Sequence, residues 1–247
     1  MSTADTPHTA HRNDGLSRAV GAAVEAVGDR VGHVASTIKP KLRGWIHAGI
    51  SPFVLAAGIV LVALSPSAGV RWANVVFAIS AFLLFGTSAV YHRGTWSPRV
   101  AGVLRRLDHT NIFLIIAGTY TPMTVILLPT STARLLLTIV WSGALVGLLL
   151  RIFWLGAPRW LYVPIYVALG WVAVFYIPAF YDKAGMGVLC LIAAGGLAYT
   201  VGAVVYGLKR PNPSPRWFGF HEIFHTLTVA AYVCHYVAVS IVTYRLR

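Results

Sequence analysis

His221-Glu222-Ile223-Phe224-His225 opens a run that stays free of Lys, Arg, Asp and Glu from Ile223 to Tyr244. A run of that length is about what a helix needs to cross a hydrocarbon core, where only helices and closed barrels satisfy their backbone. The same five residues set two imidazoles four apart, one turn above each other on one helical face. Imidazoles so placed can grip one metal ion, and zinc suits them well. The stretch thus predicts a membrane crossing with a ligand pair at its start.

Working outward, six further apolar segments precede it. The expected spans run approximately over 48–65, 72–92, 107–128, 134–154, 160–180, 186–208 and 219–243. The totals agree: 57% of residues are hydrophobic and 11% charged, with a mean hydropathy of +0.71, whereas a soluble domain carries about a quarter charged residues. The expected fold is an all-α integral membrane protein, a seven-helix bundle occupying 41–247 as one domain. Pro52, Pro122, Pro164 and Pro178 fall near helix ends or at kinks, and Trp45, Trp72, Trp96, Trp160 and Trp217 near the interfaces, as an aromatic belt requires.

Residues 1–40 stand apart. The first fifteen are polar and read as a disordered tail. From Leu16 to Ile38 a weak helical pattern suits a segment lying on the membrane or packed against the bundle, and Pro40 ends it. No continuous apolar core marks a cleavable signal peptide there. Cys190 and Cys234 both fall in apolar segments, so they read as small core residues and not as a disulfide framework.

The formal charge is +13. The cations interrupt the apolar runs and form no stripe with interleaved aromatics, which argues for a membrane and against nucleic acid. One set of connections holds Lys39, Lys41, Arg43, Arg93, Arg99, Arg105, Arg106, Arg151, Arg159, Lys209, Arg210 and Arg216; the alternate set holds Arg71, Arg134, Lys183, Arg245 and Arg247. The positive-inside rule then puts the N-terminus in the cytoplasm and the C-terminus outside. On that map His92 ends the second helix, Asp108 begins the third, and His221 and His225 begin the seventh, all on the cytoplasmic side.

Ionisable residues inside a membrane are costly and usually face a bundle interior or an aqueous cavity. His92, His221 and His225 together give three ligands, and three protein ligands with a water is the open arrangement of catalytic zinc. Asp108 is cast as the group that holds this water and takes its proton, against the plainer reading of a carboxylate facing a helix N-terminus. Ser88, one turn before His92, would donate to a substrate oxygen or orient the water, or else serve as a hydroxyl between packed helices. Glu222 completes the His-Glu-x-x-His string in which soluble zinc proteases use the glutamate as base. An intramembrane protease also needs an acidic ligand from a later helix, and no acidic residue follows Glu222. His109 reads as a supporting or interfacial group, and His235 as an interhelical hydrogen-bonding residue.

Ser88-Ala-Val-Tyr-His92, Arg106-Leu-Asp-His109, Ala117-Gly-Thr-Tyr-Thr-Pro122 and His221-Glu-Ile-Phe-His225, in this order and spacing, resemble the hemolysin III family. That family is similar to the progestin and adipoQ receptors and, more distantly, to alkaline ceramidases. The resemblance runs from about residue 45 to the end. It implies seven helices, an internal N-terminus and zinc near the inner leaflet, with His92, His221 and His225 as ligands, Asp108 holding the water and Ser88 beside it. In the adipoQ-receptor branch the position of Glu222 need not be acidic, which weakens its reading as the base.

The leading expectation is a zinc-dependent hydrolase of a membrane lipid amide such as ceramide, in a bacterial inner membrane, with lipid entering sideways between helices. Two other readings stand beside it: a receptor-like or regulatory protein with structural zinc, and the pore-forming cytolysin that the family name suggests.

Overall fold

The computed structural model describes residues 40–154 and 156–247. The expected tail and the amphipathic segment 16–38 lie outside the described residues. Seven helical stretches among those described are long and apolar enough to cross a membrane. They comprise α1 (Trp45–Ala63), α2 (Ala68–Arg93), α3 (Pro98–Leu127), α4 (Thr130–Phe153), a fifth crossing made of α5 (Arg159–Trp171), a short 3-10 turn (Val172–Tyr176) and α6 (Ile177–Ala184), then α7 (Met186–Leu208) and α8 (Phe220–Tyr244). Each apolar run became a crossing.

The third crossing is the hub. Its most apolar stretch is 72% buried, against 22–50% for the other six. It packs on α2, α4, α5, α6 and α8, while α8 returns to α1 and closes the bundle. Small residues allow the approach: a side chain at Gly118 of α3 would collide with Ser80 of α2. Asn111 donates to the Leu83 carbonyl at 2.8 Å, tying the same two helices.

Two departures from the sequence reading bear on the site. The third helix begins nine residues before the expected 107, because Ser97 caps it through the Val100 N–H and Pro98 fills its first turn. Hydropathy missed this turn because Arg99, Arg105 and Arg106 lie in it. Asp108 therefore sits nearly three turns inside α3, away from any helix N-terminus.

The fifth crossing breaks at Val172–Tyr176, between Pro164 and Pro178. Inside a bilayer a broken helix needs partners for its freed backbone groups. Tyr120 of α3 supplies them: its hydroxyl accepts the Ala173 N–H at 2.7 Å and donates to the Gly170 carbonyl at 2.7 Å.

The five belt tryptophans are exposed, as expected. The cysteines are not core residues: Cys190 is exposed and Cys234 half-buried, since an apolar thiol is equally at home facing hydrocarbon. Arg151, counted above as an interfacial cation, is 1% exposed, with its guanidinium 4.2 Å from the Tyr162 ring centroid. An aromatic face is one way to hold such a charge.

Candidate metal centre and lipid cavity

α2, α3 and α8 bring the expected residues to one end of the bundle. His92 lies in the last turn of α2, which ends at Arg93 as Gly94 takes an extended conformation. His221 and His225 stand one turn apart at the start of α8. One ring nitrogen from each of the three histidines lies within 4.8 Å of the others, and the Nε2 atoms of His92 and His221 are 3.3 Å apart. Zn–N bonds of about 2.0–2.1 Å at tetrahedral angles separate two ligand nitrogens by about 3.3–3.4 Å. The His92–His221 pair already has that separation, and the cluster can hold a metal.

Asp108 places Oδ2 3.6 Å from His92 Nε2. Its helix-terminal reading is gone, since α3 extends well beyond it. Ser88 Oγ is buried with no hydrogen-bond partner among the described residues. Serines in membrane helices commonly bond a carbonyl of the preceding turn, as Ser80 does here, so the free Ser88 hydroxyl is available to a ligand. His109 is held in place: Nδ1 donates to the Arg105 carbonyl at 2.6 Å, which leaves Nε2 to accept from Tyr206 at 3.4 Å.

Glu222 is fully occupied elsewhere. It is 1% exposed; one oxygen accepts Arg43 Nε at 2.9 Å and the other accepts the Gly219 N–H at 2.9 Å. The second bond caps α8, and the first clamps the segment before α1 onto it. Lys41 and Leu42 also donate backbone bonds to Arg216 and Trp217. Gly44 completes the clamp with φ +81°, and a Cβ there would lie 2.8 Å from His92 Cβ.

His47 was missed. It begins α1, is 2% exposed, and stacks on His225 with centroids 3.9 Å apart and planes 10° from parallel. Ligand lone pairs lie in the ring plane, so two stacked rings cannot aim at one ion; His47 braces His225 without joining the cluster. Neither of its nitrogens has a partner among the described residues. The one clue in the sequence was a further histidine at the same membrane depth.

The cluster caps a cavity of about 320 Å³, bordered at this end by His47, Ser88, Asp108, His221 and His225. It continues between the fifth crossing and α7, past Trp171, Val174, Ile177 and Leu197, which are 40–55% exposed on the bundle surface. The wall there is mainly apolar and faces the lipid.

A seven-helix membrane bundle with three histidines and a carboxylate gathered at one end of a lipid-facing cavity defines the class. The chain belongs to the Haemolysin-III related family, whose pattern matches residues 35–236. It is 30% identical over 189 residues to the Hemolysin-3 homolog of Bacillus subtilis (strain 168), covering 74% of this chain and 88% of that one. Hemolysin-3 of Bacillus cereus is 28% identical over 182 residues, 72% of this chain and 83% of its own. Heptahelical transmembrane protein ADIPOR2 of Oryza sativa subsp. japonica is 32% identical over 189 residues, 69% of this chain and 82% of its own. The chain is an integral membrane protein of a bacterial membrane, related to both groups.

Proposed function

We propose that the protein is a zinc-dependent hydrolase of a membrane lipid amide, with His92, His221 and His225 as ligands. The observation that carries this reading is the unpartnered Ser88 hydroxyl and the Asp108 carboxylate beside the three histidines, at the head of a lipid-facing cavity. Zinc, when bound, supplies a Lewis acid that polarises a carbonyl and makes water acidic near neutral pH.

The chain's own residues do the rest. Ser88 Oγ donates a hydrogen bond to the amide carbonyl oxygen. Asp108 takes a proton from the attacking water as its oxygen bonds to the carbonyl carbon, then returns it to the amine as the C–N bond breaks. His47 holds the His225 ring in its plane. The apolar wall binds the acyl chain, and the exposed flank between the fifth crossing and α7 gives it a way in from the bilayer.

The cation count supports a cytoplasmic N-terminus, with the histidine cluster near the inner leaflet. Arg151 leaves the count because it is buried, and the asymmetry survives, with eleven cations remaining in that set of connections against five in the other. Arg93 over Trp45 at 3.6 Å and Lys41 over Trp217 at 4.3 Å gather cations and interfacial aromatics at this end.

The test is elemental analysis of the detergent-purified chain beside a lipid panel scored for released fatty acid. About one zinc per chain is expected, lost in His225→Ala and kept in Asp108→Asn, with hydrolysis abolished in both. Protein without stoichiometric metal, or zinc-loaded protein that releases no fatty acid from any lipid, overturns the proposal. The relatives' hemolysin name favours a second reading, a cytolysin, which predicts zinc-independent conductance in pure lipid bilayers.

A further inference from the structure

The cavity's polar groups are unevenly provided for. Along its middle, Thr119, Thr200 and Thr228 each donate to a carbonyl of their own helix at 2.7–2.8 Å. The Tyr120 hydroxyl is used by the broken fifth crossing. Groups left without partners fall in two places. Ser88, Tyr166 and His47 stand at the histidine end. Part-way along are Tyr199, whose hydroxyl is buried and unpartnered, and His235, which makes no hydrogen bond among the described residues.

His235 was expected to bond a neighbouring helix. It is 9% exposed, lies nearly parallel to the Tyr199 ring at 5.8 Å, and borders the cavity with it. Its ring fits against the α7 backbone because residue 195 is glycine: a Cβ there would come within 2.6 Å of His235 Nε2. Burying two polar side chains in mid-membrane without partners is expensive. A notch in α7 made to seat one of them is hard to explain by packing alone, since a leucine would fill the space at no polar cost.

We propose that Tyr199 and His235 form a second polar station, which binds a hydroxyl or keto oxygen carried part-way along an acyl chain. The chain's carbonyl end lies at the histidine cluster, so the inference rests on the lipid reading above and narrows its substrate class to lipids with an oxygenated acyl chain. His235 follows His225 by ten residues on α8, about 15 Å along the axis at 1.5 Å per residue. With C–C bonds of about 1.5 Å advancing in a zigzag, about a dozen chain carbons cover that distance. A simple hydrocarbon chain would leave both groups unsatisfied.

The experiment is calorimetric titration of the detergent-purified full chain with octadecanoate, 12-hydroxyoctadecanoate and 2-hydroxyoctadecanoate. One well-formed buried hydrogen bond is worth about a tenfold gain in affinity. The 12-hydroxy chain should therefore bind about tenfold tighter than the plain chain, and the 2-hydroxy chain should show no such gain. In Tyr199→Phe and His235→Leu the preference of the 12-hydroxy chain over plain octadecanoate should fall towards one. Tyr199→Phe removes a single oxygen, so it keeps the test valid if His235→Leu unfolds. Equal affinities in the parent protein, or a preference that survives both variants, overturns the inference. The readout is binding, so the preference stands or falls whether or not any lipid is hydrolysed; absence of hydrolysis would sink the enzyme and leave the station.

Discussion

Replacing Glu222 separates two roles that the sequence leaves entangled. As the base of a His-Glu-x-x-His enzyme, Glu222→Gln would lower turnover by about 10²–10⁴-fold without disturbing the fold. The structure assigns its oxygens instead to Arg43 and to the Gly219 N–H. Glutamine keeps an acceptor for the cap and loses the charge opposite Arg43, whose side chain is 23% exposed. Solvent at Arg43 weakens the pair, so the expected loss is about 1–2 kcal/mol. Glu222→Ala also leaves the Gly219 N–H bare, for a total of about 2–4 kcal/mol. Thermal unfolding in detergent should rank parent, Gln and Ala in that order. Zinc content and fatty-acid release, measured below the transition, should stay near the parent value in Glu222→Gln. A glutamine variant as stable as the parent but devoid of hydrolysis would refute the structural assignment and restore Glu222 as the base.

Three further outcomes are expected. Gly44→Ala meets both a left-handed backbone and the His92 Cβ; it should cost about 1–2 kcal/mol in backbone strain and weaken metal retention against a chelator, read by elemental analysis after dialysis. Tyr120→Phe removes the hydroxyl that satisfies Ala173 and Gly170, and should lower stability by about 1–3 kcal/mol and speed hydrogen exchange at the 3-10 turn, with zinc content unchanged. Gly118→Ala drives a methyl into Ser80 and should cost about 1–3 kcal/mol, seen as a lower unfolding temperature.

Crossings were legible because a bilayer imposes one dominant rule: the sixth expected span, 186–208, has the bounds of α7. Boundaries failed where that rule stops. The first turns of α3 carry arginines and leave the hydrocarbon, so hydropathy had nothing to register. The break at Val172–Tyr176 depends on a hydroxyl about fifty residues earlier in the chain, a dependence no local pattern expresses. Within the site, His92, Asp108, His221 and His225 were readable because they share a depth and two of them share a helical face. His47 has no partner at helical spacing and meets His225 only through closure of α1 on α8. Glu222 matched a familiar string, but its chemistry was decided by Arg43, which the string does not contain.

His92 and His221 face each other across 129 positions of chain, joining the second crossing to the last. A ribosome feeding this protein into the membrane has delivered six crossings before the second and third histidines exist. The cluster therefore assembles only once α8 has emerged, and a chain truncated before α8 carries one of the three histidines. An ion shared by all three histidines would report that α8 has closed on α2.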